Sequence, residues 1–232
     1  MNTIDLNLKL ILGLPISAGG INIHSVKIKE IAEFGYFKYS QALKVLCIDK
    51  REIKKVLGTN ENIFPFEFLV FSMMSDYKIK NLMEEILYLI CKEKIIFSQN
   101  DFIFKVGKLE INSANFDDII NVIRKRNCIK SEEFSEGNPS NDKAKRILEK
   151  RKMARIKIKN RNKGNNSNLD ISDIISSLSL KTPIEELMNL DIYQLVDKFS
   201  RLIKYENYHT NINALIHGAN KNDLDLKHWT NN

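Results

Sequence analysis

Positive charge is gathered in one place along this chain, and it divides the polypeptide. Lys143 to Lys163 holds eleven Lys and Arg residues against one acid, Glu149. The segment carries +10 while the whole protein carries +7, so the remainder sums to −3. A solvated run of like charge speaks to partners and solubility rather than to a core. The chain is therefore expected to fold as two packed pieces joined by a cationic connector. The expected divisions are an N-terminal α+β domain over 1–132, an acidic turn plus basic connector over 133–168, and a C-terminal helical domain over 169–232. The connector is expected to be helical over about 142–160, where Ala, Lys, Arg, Leu and Glu dominate.

Apolar residues make up 43% of the chain, enough for a core in each piece and too many for a disordered protein. Four prolines and nine glycines in 232 residues favour helix over a turn-rich sandwich. The fold class expected is mainly α with a small β element. Cys47, Cys91 and Cys128 stand apart among apolar neighbours, the pattern of core thiols in a reducing compartment rather than of a disulfide frame or zinc site. The apolar run Leu8 to Ile16 is broken by Lys9, Gly13 and Pro15 and is too short to span a bilayer, and no leader pattern precedes it. These features lead us to expect a soluble, cytosolic protein with no membrane contact.

Periodicity outlines the elements. Leu6, Leu8 and Leu10 alternate ahead of Gly13, Pro15 and Gly19-Gly20, so residues 4 to 24 read as extended, with a short strand pair. Ser25 is the expected N-cap of a helix carrying Val26, Ile28, Ile31 and Ala32 and ending at Gly35. Helical stripes follow at Tyr39, Ala42, Leu43 and Leu46, then at Ile53, Val56 and Leu57 before Gly58. Pro65 opens a stretch apolar nearly all round, expected to be buried on several sides. Ile79, Leu82, Met83, Ile86, Leu87 and Ile90 form a clean amphipathic stripe.

Ile95 to Phe97 and Phe102 to Val106 flank a polar step and read as a hairpin, with Leu109 and Ile111 as its extension. Ser113 is the expected cap of a helix bearing Phe116, Ile119, Ile120 and Ile123 and closing on Arg124-Lys-Arg126. In the C-terminal piece, Ile171, Ile174, Ile175 and Leu178 share a face. Thr182-Pro-Ile-Glu185 reads as a capping box with proline at the first helical position. Asp191 is the expected cap of the helix bearing Ile192, Leu195, Val196, Phe199 and Ile203, and Tyr208, Ile212, Leu215 and Ile216 form a last stripe. About 60 residues bury only a marginal core, so this piece is expected to lean on a partner.

Constellations that would carry chemistry are weak. His209, His217 and His228 lack metal-pair spacing and have no Cys or paired Glu beside them. The acid pairs Glu84-Glu85, Asp117-Asp118, Glu132-Glu133 and Glu185-Glu186 sit at helix starts or on solvent faces, without a cleft to shift them. There is no phosphate loop and no nucleophile motif, so neither catalysis nor a cofactor or metal is expected. For the connector cations Lys143, Arg146, Lys150, Arg151, Lys152, Arg155, Lys157, Lys159 and Arg161, three readings stay open: phosphate contact on a nucleic acid, an acidic protein partner, or a solvated tether. The segment has no aromatic residue for base stacking. Trp229 reads either as a ring packed back on the last helices or as an anchor for a partner.

A resemblance gathers these pieces. Thr182-Pro-Ile-Glu-Glu-Leu-Met-Asn-Leu190, Asp191-Ile-Tyr-Gln-Leu-Val-Asp-Lys-Phe199, Asn211-Ile-Asn-Ala-Leu-Ile-His-Gly-Ala219 and Leu226-Lys-His-Trp229 resemble the tail assembly chaperones of long-tailed phages and of tail-like bacteriocins of Gram-positive bacteria. Asn138-Pro-Ser-Asn-Asp-Lys-Ala-Lys145 with the basic run, Leu12-Gly-Leu-Pro-Ile16, Lys27-Ile-Lys-Glu-Ile31 and Gly35-Tyr36 extend the likeness, which is strongest from Asn138 to Trp229. The resemblance implies a non-enzymatic protein of virion morphogenesis that binds the tape-measure protein, helps tail-tube subunits gather and is absent from the finished particle. Helical modules of this size hold amphipathic helices, and the surface expected to do so is Leu195, Phe199, Tyr208, Ile212, Leu215 and Trp229. The alternatives are a nucleic-acid-binding accessory protein and a structural tail or baseplate component.

Overall fold

The computed structural model describes residues 2–58, 63–129 and 170–230. The expected acidic turn and the basic connector lie outside the described residues. Those described build a mainly helical molecule with two small antiparallel sheets, the expected fold class.

The chain opens with helix α1 (Thr3–Leu12), where alternating leucines suggested an extended segment. Asn2 caps it through its side chain, and Gly13 closes it in the left-handed conformation. The expected short strand pair is present in the later part of that stretch, β1 (Ile16–Ala18) against β2 (Ile21–Ile23). Its two-residue loop is Gly19-Gly20, both at positive φ, as a tight hairpin turn requires. A Cβ on Gly19 would lie 2.6 Å from Asn115 Cβ, so glycine also permits that close approach.

Helix α2 (Ile28–Phe34) starts two residues later than Ser25 would have set it; Ser25 is buried, and the Glu30 carboxylate instead accepts the Lys27 amide at 2.8 Å. Helices α3 (Tyr36–Leu46) and α4 (Lys50–Leu57) follow, the latter capped reciprocally by Asp49 and Glu52. Helix α5 (Pro65–Ser75) buries Phe66, Leu69, Val70 and Met73, but Phe71 and Met74 face solvent, so it is covered on one side rather than on several. Helix α6 (Tyr77–Cys91) is the centre of the body. Its Met83, Ile86, Leu87 and Ile90 are all buried, each worth roughly 1.5–3 kcal/mol of transfer free energy.

The second sheet has order β3 (Ile95–Ser98), β4 (Ile103–Val106), β5 (Leu109–Ile111), with Phe97 opposite Phe104 and Phe104 opposite Ile111. Phe66, Phe97 and Phe116 surround Phe104 or one another at ring separations of 5.1–6.4 Å. Helix α7 (Phe116–Arg126) begins at Asn115 rather than at Ser113. The Asn115 amide group instead ties the two sheets, donating to the carbonyls of Gly19 and Glu110.

The C-terminal part forms α8 (Ile171–Ser179), α9 (Ile184–Met188) and α10 (Ile192–Ile216), then a short 3-10 turn at Lys221–Asp223. Thr182-Pro183 does not form the expected capping box: Thr182 is buried and Pro183 stands outside the helix. Asp191 does cap α10, with Gln194 reciprocating. The last two expected stripes lie on one unbroken helix.

This part leans on its own chain. Leu178, Leu187 and Leu195 join the same buried cluster as the N-terminal helices. The Ile28 amide donates to the Leu190 carbonyl at 2.8 Å, and the Gln194 side chain donates to the Ile11 carbonyl. At the junction Arg126 Nη1 pairs with Asp191 Oδ2 at 3.1 Å, with both side chains almost fully buried, while Arg126 Nη2 donates to the Leu14 carbonyl. Burial raises the Asp191 pKa, opposed by the Gln194 amide and Arg126; burial also lowers that of Arg126, opposed by Asp191.

Breaking one side of such a pair strands a buried charge. Asp191→Asn, which keeps a capping oxygen, is expected to cost about 3–5 kcal/mol in urea unfolding, and Arg126→Met combined with it to cost less than the two changes summed. A second prediction concerns Glu30. Burial pushes its carboxyl up, but the Lys92 ammonium and the Lys27 amide outweigh that and hold it below the usual range. A lowered folded pKa adds stability above the ordinary carboxylate range, lost as pH falls through the folded value. Glu30→Gln is thus expected to destabilise the protein by ~1 kcal/mol at neutral pH and by progressively less in acid, read as urea midpoints against pH.

Candidate functional site

An open groove of about 840 Å³ runs along the seam between the two parts of the chain. Each wall follows from a local pattern. Tyr36, Ser40, Leu43 and Cys47 recur at helical spacing on α3, and Glu52 and Val56 share one face of α4. Phe68 and Ser72 from α5 and Ile79 from α6 complete that side. The facing wall is Ile171 and Ile174 of α8 with Ile192 and Val196 of α10, and Asn127, Cys128 and Ile129 close the floor.

The polar groups in this surface are mostly satisfied internally, which leaves a largely apolar lining. The Ser72 hydroxyl donates to the Phe68 carbonyl at 2.8 Å. The Tyr39 hydroxyl donates to Asn127 Oδ1 at 2.6 Å, and the Asn127 amide group donates to the Ile123 carbonyl. Arg124 Nη2 donates to the Cys47 carbonyl at 2.7 Å and to that of Ile48, fixing the end of α3 against the end of α7. Glu52 accepts the Asp49 amide, turning its charge toward its own helix start. Two of the lining residues are themselves open to solvent, Val56 being 67% and Tyr36 about half exposed. A contiguous surface of this kind is the usual mark of an interaction site.

The groove holds no activated nucleophile. Burial pushes the Cys47 thiol up to about 12, against the pull of Arg124. The Cys128 thiol is also raised, first by burial and then by Asp191 and Asp197. Thiols held protonated in this way are poor nucleophiles. Away from the groove, burial likewise raises Cys91 to about 12.

The residues expected to bind a partner are placed unevenly. Leu195 is fully buried and serves the core, so in this fold it offers no contact surface. Phe199 is half-buried against the same core. Tyr208, Ile212 and Leu215 are half-buried on the far part of α10. Trp229 packs back there, edge-on to Tyr205 at 5.7 Å, while the neighbouring His228 meets Tyr208 at 5.2 Å. The structure thus takes the packed-back reading of Trp229. His209 also stacks on these tyrosines, and among the described residues no three His, Cys, Asp or Glu side chains come together to hold a metal. Of the acid pairs, Asp117-Asp118 and Glu185-Glu186 occupy first helical turns, and Glu84 accepts the Phe97 amide at 3.0 Å. No helix among the described residues is long and apolar enough to cross a membrane. Lys143, Arg146, Lys150 and the other connector cations lie outside the described residues.

Sequence reading missed the groove. Val56, Ile174, Ile192 and Val196 were each legible as members of a helical stripe, but nothing local shows that the three stripes meet and leave a slot.

Comparison with known proteins bears on the C-terminal part. A family model described as YomV second domain matches residues 159–232, which take in α8, α9, α10 and the tail. That family is phage-associated, of the Bacillus prophage type. The C-terminal part of this chain is similar to it. No curated protein and no solved structure matches the chain.

Cys128 is exposed in the groove, while Cys47 and Cys91 are buried. The native protein is therefore expected to titrate one thiol per chain with an aromatic disulfide reagent, slowly at neutral pH and faster as the pH rises because that thiol is held protonated, and three after unfolding. Cys128→Ser is expected to remove the native reaction.

Proposed function

We propose that this protein is a non-enzymatic phage tail assembly chaperone, which holds apolar helical faces of a tape-measure protein until tail-tube subunits enclose them. The observation that carries this reading is the groove, an open apolar slot walled by helices from both parts of the chain. A helix with its side chains is about 10–12 Å across, and helix-in-groove recognition uses such surfaces, with anchors at helical spacing. The similarity of the C-terminal part to a phage-associated family supports a role in phage biology. In this reading the groove, rather than the far part of α10, is the partner surface, and the protein acts in the host cytoplasm and leaves before the particle is complete.

Co-expression with a helical tape-measure fragment tests it. The wild-type chain is expected to co-purify with the fragment. Val56→Glu combined with Tyr36→Glu is expected to weaken recovery at least about tenfold, with the thermal melt unchanged because both positions are exposed. Tyr208→Ser with Ile212→Ser is expected to leave recovery intact. Loss with the second pair and retention with the first would return the site to α10, and no co-purification at all would remove the chaperone reading. A nucleic-acid role has one observation behind it, the +10 segment; tight heparin retention and DNA or RNA binding that falls steeply with salt would favour it. Mass spectrometry of purified particles would reveal a structural tail component.

A further inference from the structure

The groove has edges of opposite sign, and each edge comes from a different part of the chain. On the N-terminal side, Lys44 of α3 lines the slot. Lys55 of α4 is exposed beside it: it precedes Val56 and lies three residues after Glu52, so it borders the face those two give to the groove. Glu52, the acid on this side, caps its own helix and keeps its charge, so Lys44 and Lys55 leave this edge cationic only by their excess over it. On the C-terminal side, Asp170 lines the slot at the start of α8 and Asp173 stands exposed one turn on; the two cap that helix reciprocally and, like Glu52, keep their charge. Between the edges the lining is apolar.

We infer that the groove selects an amphipathic helix whose apolar stripe is flanked by acids on one edge and by bases on the other, and that it fixes which way round that helix lies. The inference rests on the reading of the groove as a helix receptor and adds the chemistry of the ligand. A helix acidic on both edges would set carboxylates against Asp170 and Asp173, and a helix basic on both edges would set ammonium groups against Lys44 and Lys55. Like charges facing across an interface reject the wrong partner, whereas matched edges fix register and orientation. The apolar floor supplies affinity common to all three helices, so discrimination must come from the edges. Partly exposed edges of this kind are screened by salt.

The test uses the full chain and three designed 21-residue peptides with one Leu/Ile stripe, labelled for fluorescence anisotropy. One carries Glu on one edge and Lys on the other, one carries Glu on both, and one carries Lys on both. At low salt the mixed peptide is expected to bind about tenfold more tightly than either single-sign peptide, and the gap is expected to close in about 0.5 M salt. Lys44→Glu with Lys55→Glu is expected to reverse the order, favouring the peptide with Lys on both edges. Protection of the Cys128 thiol by the mixed peptide places the bound helix in the groove. Equal affinity for all three peptides with Cys128 protected overturns the edge inference and leaves the helix receptor standing. No binding by any of them overturns the receptor reading itself.

Discussion

The Arg126–Asp191 pair is the contact on which the arrangement of this molecule depends. It joins the last residue of α7 to the cap of α10, and both side chains are withdrawn from water. Burial acts against each charge, raising the pKa of Asp191 and lowering that of Arg126. A pair in that position contributes little net stability relative to an apolar replacement, but leaving one member alone is costly. Its effect is therefore geometric. With Arg126 also held to the Leu14 carbonyl and Asp191 capping α10, the start of α10 has one position and one rotation on the N-terminal body. That rotation turns Ile192 and Val196 toward α3 and α4. The groove exists because the pair sets the distance and angle of its far wall.

Where the fold was legible in the sequence, one local signal decided the element. The Asp191 cap, the Gly19-Gly20 turn and the stripe of α6 are each complete within a few residues. Helix α1 was not legible, and its structure shows why. Leu6 and Leu10 face the body, while Ile4, Leu8, Ile11 and Leu12 face outward and are exposed. A short helix apolar on both faces satisfies the alternating template as well as the helical one. Thr182-Pro183 misled for another reason: the threonine that would cap the helix is drawn into the core instead, a tertiary demand that overrides a local preference. The ion pair could not be read at all, since its members lie 65 residues apart and the local role of each, Arg126 closing α7 and Asp191 capping α10, says nothing of the other.

The candidate site was the least legible part, and that follows from how it is built. A catalytic centre leaves a signature in residue types, because few side chains can do the chemistry. A groove made of Val, Ile, Leu and Tyr uses the same residues as a core, and only assembled geometry separates covered stripes from open ones. The expected partner surface on α10 shows the ambiguity from the other side. Leu195 and Phe199 form a stripe as convincing as that of Ile192 and Val196, a fraction of a turn away. One stripe is consumed by packing against the body and the other is left open to the slot.

The uneven charge of the chain acts on this groove at two ranges. At contact range the edges are mixed, cationic along α3 and α4 and acidic at the start of α8. At longer range the +10 segment dominates, and the described residues that flank it, Ile129 and Asp170, both line the groove. Long-range attraction governs how fast acidic proteins arrive, and contact geometry governs which of them stay. A chain whose field favours acidic partners in general, but whose slot accepts a helix with one acidic and one basic edge, separates encounter from selection. That division suits the proposed role of holding one long helical client and later letting it go.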